Sequence, residues 1–155
     1  PFVFVAPIGH PLSMPQTMKP KEIEGASLIL MEEGHCLRDQ ALDVCAIAGT
    51  PPATSVTAAS VATLVRMVES GLGATLLPAA ALRVEVRKDQ GLMVRSFEPT
   101  SPGRTLTLQW RETSPYASWF LEMGRVLTQH YLELNAMMPE VAGPTPHIVP
   151  APSTP

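Results

Sequence analysis

Apolar positions fall in short runs separated by glycine, proline and small polar residues, the spacing of strands alternating with helices. Phe2 to Ala6 is a continuous apolar run that reads as a buried strand. Pro7 to Pro20 reads as an irregular connection, and Lys21 to Glu24 as one helical turn closed by Gly25. Ser27 to Glu32 is a strand, and Glu33-Gly34-His35 is a tight strand-to-helix turn. Cys36 to Ala48 then reads as a helix stopped by Gly49, with Pro51 and Pro52 barring any continuation. On that helix Leu37, Ala41, Val44 and Ala48 share one face, the pattern of a helix lying on a sheet. Thr54 to Ala58 is a strand; Ser60 caps a helix running to Glu69 and closed by Gly71; Ala74 to Leu77 is a strand, and Pro78 opens a short helix. Leu92 to Phe97 and Arg104 to Arg111 read as strands, and a long helix starts at Ser114 or Pro115 and runs to about Leu134. The proline-rich stretch 139–155 has no apolar periodicity and is expected to be a disordered tail.

This alternation predicts an α/β fold with a largely parallel sheet, whose sites lie at the carboxyl ends of strands. The turn carrying Gly34, His35 and Cys36 has that position. Composition narrows the function classes. With 45% hydrophobic residues, 16% charged residues and a net charge of -3, the 155-residue chain is expected to be globular, with no basic footprint for gripping nucleic acid. No apolar run approaches the roughly 18–20 residues of a membrane span. No basic segment leading into an apolar run and a small-residue cleavage site is visible, which makes the cytoplasm the default location. The chain opens directly on a strand without a preceding cap or turn, and so reads as a segment of a longer protein.

Two cysteines in a cytosolic chain do not make a disulfide scaffold, and with four scattered histidines they do not supply a zinc site. Cys36 falls in the first turn of its helix, where unsatisfied amides and a partial positive charge favour a thiolate. His35 and Arg38 are possible cationic neighbours. Cys45, nine residues on at the edge of the apolar face, is expected to be a buried thiol of little reactivity. Nine residues of helix rise about 13.5 Å and rotate about 180°. A disulfide needs Cα atoms within about 7 Å. Either the two cysteines never meet and the helix is only a helix, or bonding requires the segment from about Gly34 to Gly49 to come apart.

The run Glu33-Gly34-His35-Cys36-Leu37-Arg38-Asp39-Gln40-Ala41-Leu42, followed by Cys45, resembles the signature around the reactive cysteine of the OxyR family, hydrogen-peroxide sensors among the LysR-type transcriptional regulators. His10-Pro11-Leu12, Leu28 to Met31, Gly73 to Pro78, Arg104-Thr105-Leu106 and Trp110-Arg111 with Ser114-Pro115 resemble more generic elements of LysR-type effector domains. The resemblance covers roughly residues 2–135 and implies a LysR-type effector-binding domain, periplasmic-binding-protein-like, with Rossmann-like subdomains. Residues of about 11–100 would form subdomain II. Residues 1–10 and 104–138 would supply crossing strands and the C-terminal part of subdomain I, with 139–155 as the tail. Cys36 matches the peroxide-reactive cysteine, oxidised to a sulfenic acid, and Cys45 the resolving cysteine that condenses with it. His35, Arg38, Asp39 and Arg104 are the implied surroundings of the thiolate. Ser55 stands where the resemblance would place a histidine. The implied partners are hydrogen peroxide, a reductant of the glutaredoxin or thioredoxin type, and further copies in a homodimer or homotetramer at full length. DNA would be bound only through a helix-turn-helix domain preceding residue 1. No cofactor, metal, membrane contact or enzymatic turnover is implied.

Two other functions compete: a LysR-type effector domain sensing a small metabolite in its inter-subdomain cleft, and a thiol peroxidase, which no peroxidase-style or Cys-x-x-Cys motif supports. His10 is expected to be structural, His130 exposed, and Trp119 and Phe120 core residues.

Overall fold

The computed structural model describes residues 1–12, 17–49, 56–87, 89–98, 102–103 and 105–137. The chain divides into two units, residues 1–104 and 105–155.

In the first unit the opening apolar run forms β1 (Phe2–Pro7), buried from Phe2 to Ala6 because both of its faces are covered. Along the chain follow β2 (Thr17–Met18), a 3₁₀ turn (Pro20–Ile23), β3 (Leu30–Met31), α1 (Cys36–Ala48) and β4 (Thr57–Ala58). After them come α2 (Val61–Glu69), β5 (Thr75–Pro78), α3 (Ala79–Glu85) and β6 (Leu92–Phe97). The expected α/β alternation is present, but the main sheet is mixed rather than largely parallel. Its order is β2-β6-β1-β5, and β1 runs antiparallel to both neighbours, with Phe4 opposite Leu76 on one side and Arg95 on the other. Alternation in sequence does not settle strand direction, which depends on the end from which the chain re-enters the sheet. Among the described residues the parallel pairs are β2 against β6 and, in a separate two-stranded sheet, β3 against β4, with a parallel bridge from Leu28 to Ala74 beside β5. At that bridge the chains approach so closely that a Cβ on Gly73 would stand 2.6 Å from the Ser27 carbonyl oxygen. Only glycine allows the contact.

Alternation along β1 divides the core. Phe2, Phe4 and Ala6 join Ile23, Leu28, Leu30, Leu76 and Phe97 in a cluster that includes Ala41, Val44, Cys45 and Ala48 of α1. Val3 and Val5 are left for the opposite face. There α2 packs on β1 and β5 and buries Leu64, Val65 and Val68. The Ser60 side chain accepts a hydrogen bond from the Thr63 amide and caps α2, as its position in the sequence requires.

Of the strand expected over 104–111, the described residues 105–111 in the second unit form no strand. Residues 105–110 join no sheet, and Leu106 and Leu108 are exposed. Their alternation with threonine is a strand pattern, but a strand exists only where a second backbone completes its ladder, and no described residue pairs with this segment. α4 (Ala117–Met137) starts just after the expected boundary, behind a turn in which the Ser114 Oγ accepts from the Tyr116 amide. Phe120 is half-buried and stacks on Trp110 with ring centroids 5.8 Å apart. Trp119 departs from its expected core place, being 75% exposed. His130 is exposed, as expected. No helix among the described residues is long and apolar enough to cross a membrane.

Candidate functional site

Beyond the carboxyl end of β3 the backbone turns through Gly34, whose φ of 89° is a left-handed conformation that favours glycine. His35 follows in extended geometry as the N-cap of α1, and its side chain caps no amide. Cys36 is therefore the first residue of the helix, and it is exposed. Arg38, half-buried, donates from Nη1 to the carbonyl oxygen of Met31 at 3.1 Å and so ties the first turn of α1 to the last residue of β3. Its expected role as a cationic neighbour of Cys36 shares the side chain with this structural bond. Asp39 is exposed in the first turn, where a negative charge suits the helix dipole.

The same helix carries Cys45 on its inner side. Cys45 is 2% exposed, among Ala41, Val44 and Ala48 and the sheet residues beneath them. Burial pushes its thiol above the ordinary value, because the ionised form loses its hydration. Both cysteines are free, and α1 is unbroken from one to the other, ending at Gly49 with φ 81°. Continuous helix places them about 13.5 Å apart along its axis and about half a turn round. The fold thus gathers His35, Cys36, Arg38 and Asp39 into one turn and sets Cys45 apart from them on the buried face. Arg104 and Ser55 lie outside the described residues. No group of three or more His, Cys, Asp or Glu side chains among the described residues could hold a metal ion.

Beneath α1 lies a residue that the sequence reading passed over. Arg95 of β6 is 1% exposed, yet it sits on the face shared by Met93 and Phe97, which faces the α1 cluster. Nη1 donates to the Leu12 carbonyl at 2.8 Å, and Nη2 donates to the Thr17 carbonyl and lies 3.8 Å from Glu22 Oε1. Burial pulls the guanidinium below its ordinary value, with Glu22 opposing. The available signal was its register: Met93, Arg95 and Phe97 alternate as one face of a strand. His10 is structural here, its Nδ1 accepting the Leu12 amide at 3.1 Å and its ring set edge-on to Phe4.

Residues 1–126 match the LysR substrate binding domain. The chain is 39% identical over 134 residues to a probable hydrogen peroxide-inducible genes activator of Streptomyces viridosporus, a match covering 86% of this chain and 43% of that protein. It is 36% identical over 118 residues to the DNA-binding transcriptional dual regulator OxyR of Escherichia coli K12, covering 76% of this chain and 38% of the relative. Its fold is similar to a hydrogen-peroxide-bound cysteine-to-serine mutant of Corynebacterium glutamicum OxyR, with a TM-score of 0.74 and 30% identity over 88% of this chain and 43% of that one. The chain therefore spans less than half the length of these relatives. With most of its length matching that domain, the chain belongs to the LysR substrate-binding-domain family.

Proposed function

We propose that this chain is the redox-sensing part of a hydrogen-peroxide-responsive transcription regulator. The Cys36 thiolate attacks one peroxide oxygen, the O–O bond breaks, and water leaves after proton uptake, giving a sulfenic acid at Cys36. The Cys45 thiol then attacks that sulfur, a second water leaves, and a Cys36–Cys45 disulfide remains. A dithiol reductant of the glutaredoxin or thioredoxin class returns both thiols. The carrying observation is the placement of one exposed and one buried free thiol nine residues apart on one unbroken helix. Their bonding has to dismantle α1, which turns a local oxidation into a rearrangement of the segment from about Gly34 to Gly49.

The seat of α1 suits such a release. Its buried contacts are Ala41, Val44, Cys45 and Ala48, all small, with Leu37 and Leu42 only half-buried at the edge. Lifting the four small side chains out costs about 5 kcal/mol at roughly 0.8 kcal/mol per buried methylene. The names of the relatives support the same reading, since they are described as peroxide-inducible activators, and one solved neighbour holds hydrogen peroxide. On this reading residues of about 11–100 form subdomain II, with 1–10 and 104–138 in the crossings and subdomain I. The protein acts in the cytoplasm as a homodimer or homotetramer, as a regulator rather than a turnover enzyme. It meets DNA through another domain, since a net charge of -3 gives this segment no basic footprint for the phosphate backbone.

Brief exposure to micromolar peroxide, followed by thiol counting and peptide mass spectrometry, tests the chemistry. The expected result is loss of both thiols and a cross-linked peptide joining Cys36 to Cys45. Two intact thiols would overturn the reading.

The helix itself supplies a second test. Ala46 is exposed within α1, so Ala46→Gly leaves the core untouched while costing helical stability of about 1 kcal/mol. Only the dithiol form keeps the helix. The substitution should therefore favour the disulfide about fivefold and lower the reduction potential by about 20 mV, as measured in glutathione redox buffers. An unchanged potential would mean that α1 survives oxidation.

A further inference from the structure

We propose that Arg95 is a positioning residue of this redox switch: it holds the floor on which α1 rests and so sets the balance between dithiol and disulfide. The proposal rests on the Cys36–Cys45 reading above. A guanidinium that is 1% exposed needs partners, and among the described residues those of Arg95 belong to the segment that leads into the α1 seat. Two of its bonds go to the carbonyls of Leu12 and Thr17, and its ion pair is with Glu22 in the 3₁₀ turn. The other carboxylate oxygen of Glu22 accepts the Lys19 amide, closing the cap of that turn. The next residue, Ile23, is buried in the same cluster as Ala41, Val44 and Cys45, and the turn packs directly against α1. One connected path therefore runs from Arg95 through Glu22 and Ile23 to the underside of α1 and the Cys45 thiol. When α1 is folded, its stability includes the order of this floor. When the disulfide has drawn α1 apart, the floor has no helix to support. Weakening the floor therefore destabilises the dithiol form more than the disulfide form.

The guanidinium fork is required for this role, because one planar group serves two carbonyls and a carboxylate at once. Arg95→Met should shift the dithiol–disulfide equilibrium toward the disulfide about tenfold, the scale of one lost charge-assisted hydrogen bond. Arg95→Lys should lie between, since a single ammonium cannot reproduce the fork. Glu22→Gln keeps an acceptor for the Lys19 amide, removes the ion pair from a partly exposed position, and should shift the equilibrium the same way by about threefold. Leu64→Ala, on the buried face of α2 across the sheet, is the control for general loss of stability and should leave the equilibrium unchanged.

The experiment equilibrates each variant of the full chain in a series of glutathione redox buffers, traps thiols with acid and an alkylating reagent, and counts the disulfide by mass. A shift in Arg95→Met and Glu22→Gln without one in Leu64→Ala supports the assignment. Equilibria within twofold of the unmodified chain in both variants overturn it, as does an equal shift in Leu64→Ala. If Arg95→Met does not fold, Glu22→Gln against Leu64→Ala decides. Failure of the unmodified chain to form any Cys36–Cys45 disulfide would overturn the proposed function and this assignment with it, whereas unshifted variants of a chain that does form it overturn the assignment alone.

Discussion

Cys36→Ser is expected to reduce peroxide-driven disulfide formation to background, while Cys45→Ser stops the same chemistry one step later, at a Cys36 sulfenic acid. The asymmetry follows from burial. Cys36 is exposed at the first position of α1, where peroxide has direct access. Cys45 is 2% exposed beneath the helix, and burial pushes its thiol above the ordinary value. A serine at 36 cannot replace the thiolate, because an alcohol is neither ionised near neutral pH nor readily oxidised by peroxide. A serine at 45 leaves the first step intact and removes only the second nucleophile. A sulfenic-acid-trapping dione followed by mass spectrometry should therefore label Cys36 in the Cys45→Ser chain and nothing in the Cys36→Ser chain. Labelling at Cys45 in the absence of Cys36 would reverse the assignment of the two roles. Neither substitution should unfold the chain: Cys36 contacts solvent, and serine at 45 keeps the size of cysteine at a cost of about 1–3 kcal/mol for burying a hydroxyl in an apolar site.

The parts of this site that sequence reveals are those set by local chemistry. Cys36 to Ala48 is bounded by Gly34 and Gly49, both at positive φ, and a helix stop of that kind is written into single residues. Leu92 to Phe97 was equally readable, and its bounds coincide with those of β6. The remainder depends on partners distant in the chain. The alternation of Leu106 and Leu108 looks like a strand, but no described residue offers it a ladder. Of the expected strand from Ser27 to Glu32, Leu30–Met31 pairs with β4, while Leu28 makes an isolated bridge to Ala74. Arg95 was hidden for a related reason. Its register with Met93 and Phe97 marks an apolar face, but only the fold places the Leu12 and Thr17 carbonyls where a charge on that face can be buried. The chemistry of Cys36 was thus legible from its neighbours in sequence, whereas the support under α1 was legible only from neighbours in space.

The resolving step should carry a pH signature that reports the state of α1 at the moment of attack. Its nucleophile is the Cys45 thiolate, and below the thiol's pKa that fraction rises tenfold for each pH unit. In the closed helix burial raises the pKa, so the neutral thiol is favoured there. The packing of α1 around Cys45 is therefore fully stabilised below the ordinary thiol value of about 8.5 and weakens as the pH climbs past it. If α1 is closed in the resting sulfenic acid and opens in a rapid equilibrium before attack, the resting population is the buried thiol. The rate of disulfide formation from preformed sulfenic acid should then rise about tenfold per unit from pH 6.5 to 8.5 and keep rising beyond the ordinary value. Stopped-flow oxidation with thiol quenching at a series of pH values measures it. Levelling off near 8.5 would mean that Cys45 is already in water once Cys36 is oxidised, so that sulfenic acid formation alone releases the helix. A flat profile would mean that opening α1 is itself the slow step. In that case Ala46→Gly, which loosens the helix without touching either thiol, should raise the rate rather than only move the equilibrium.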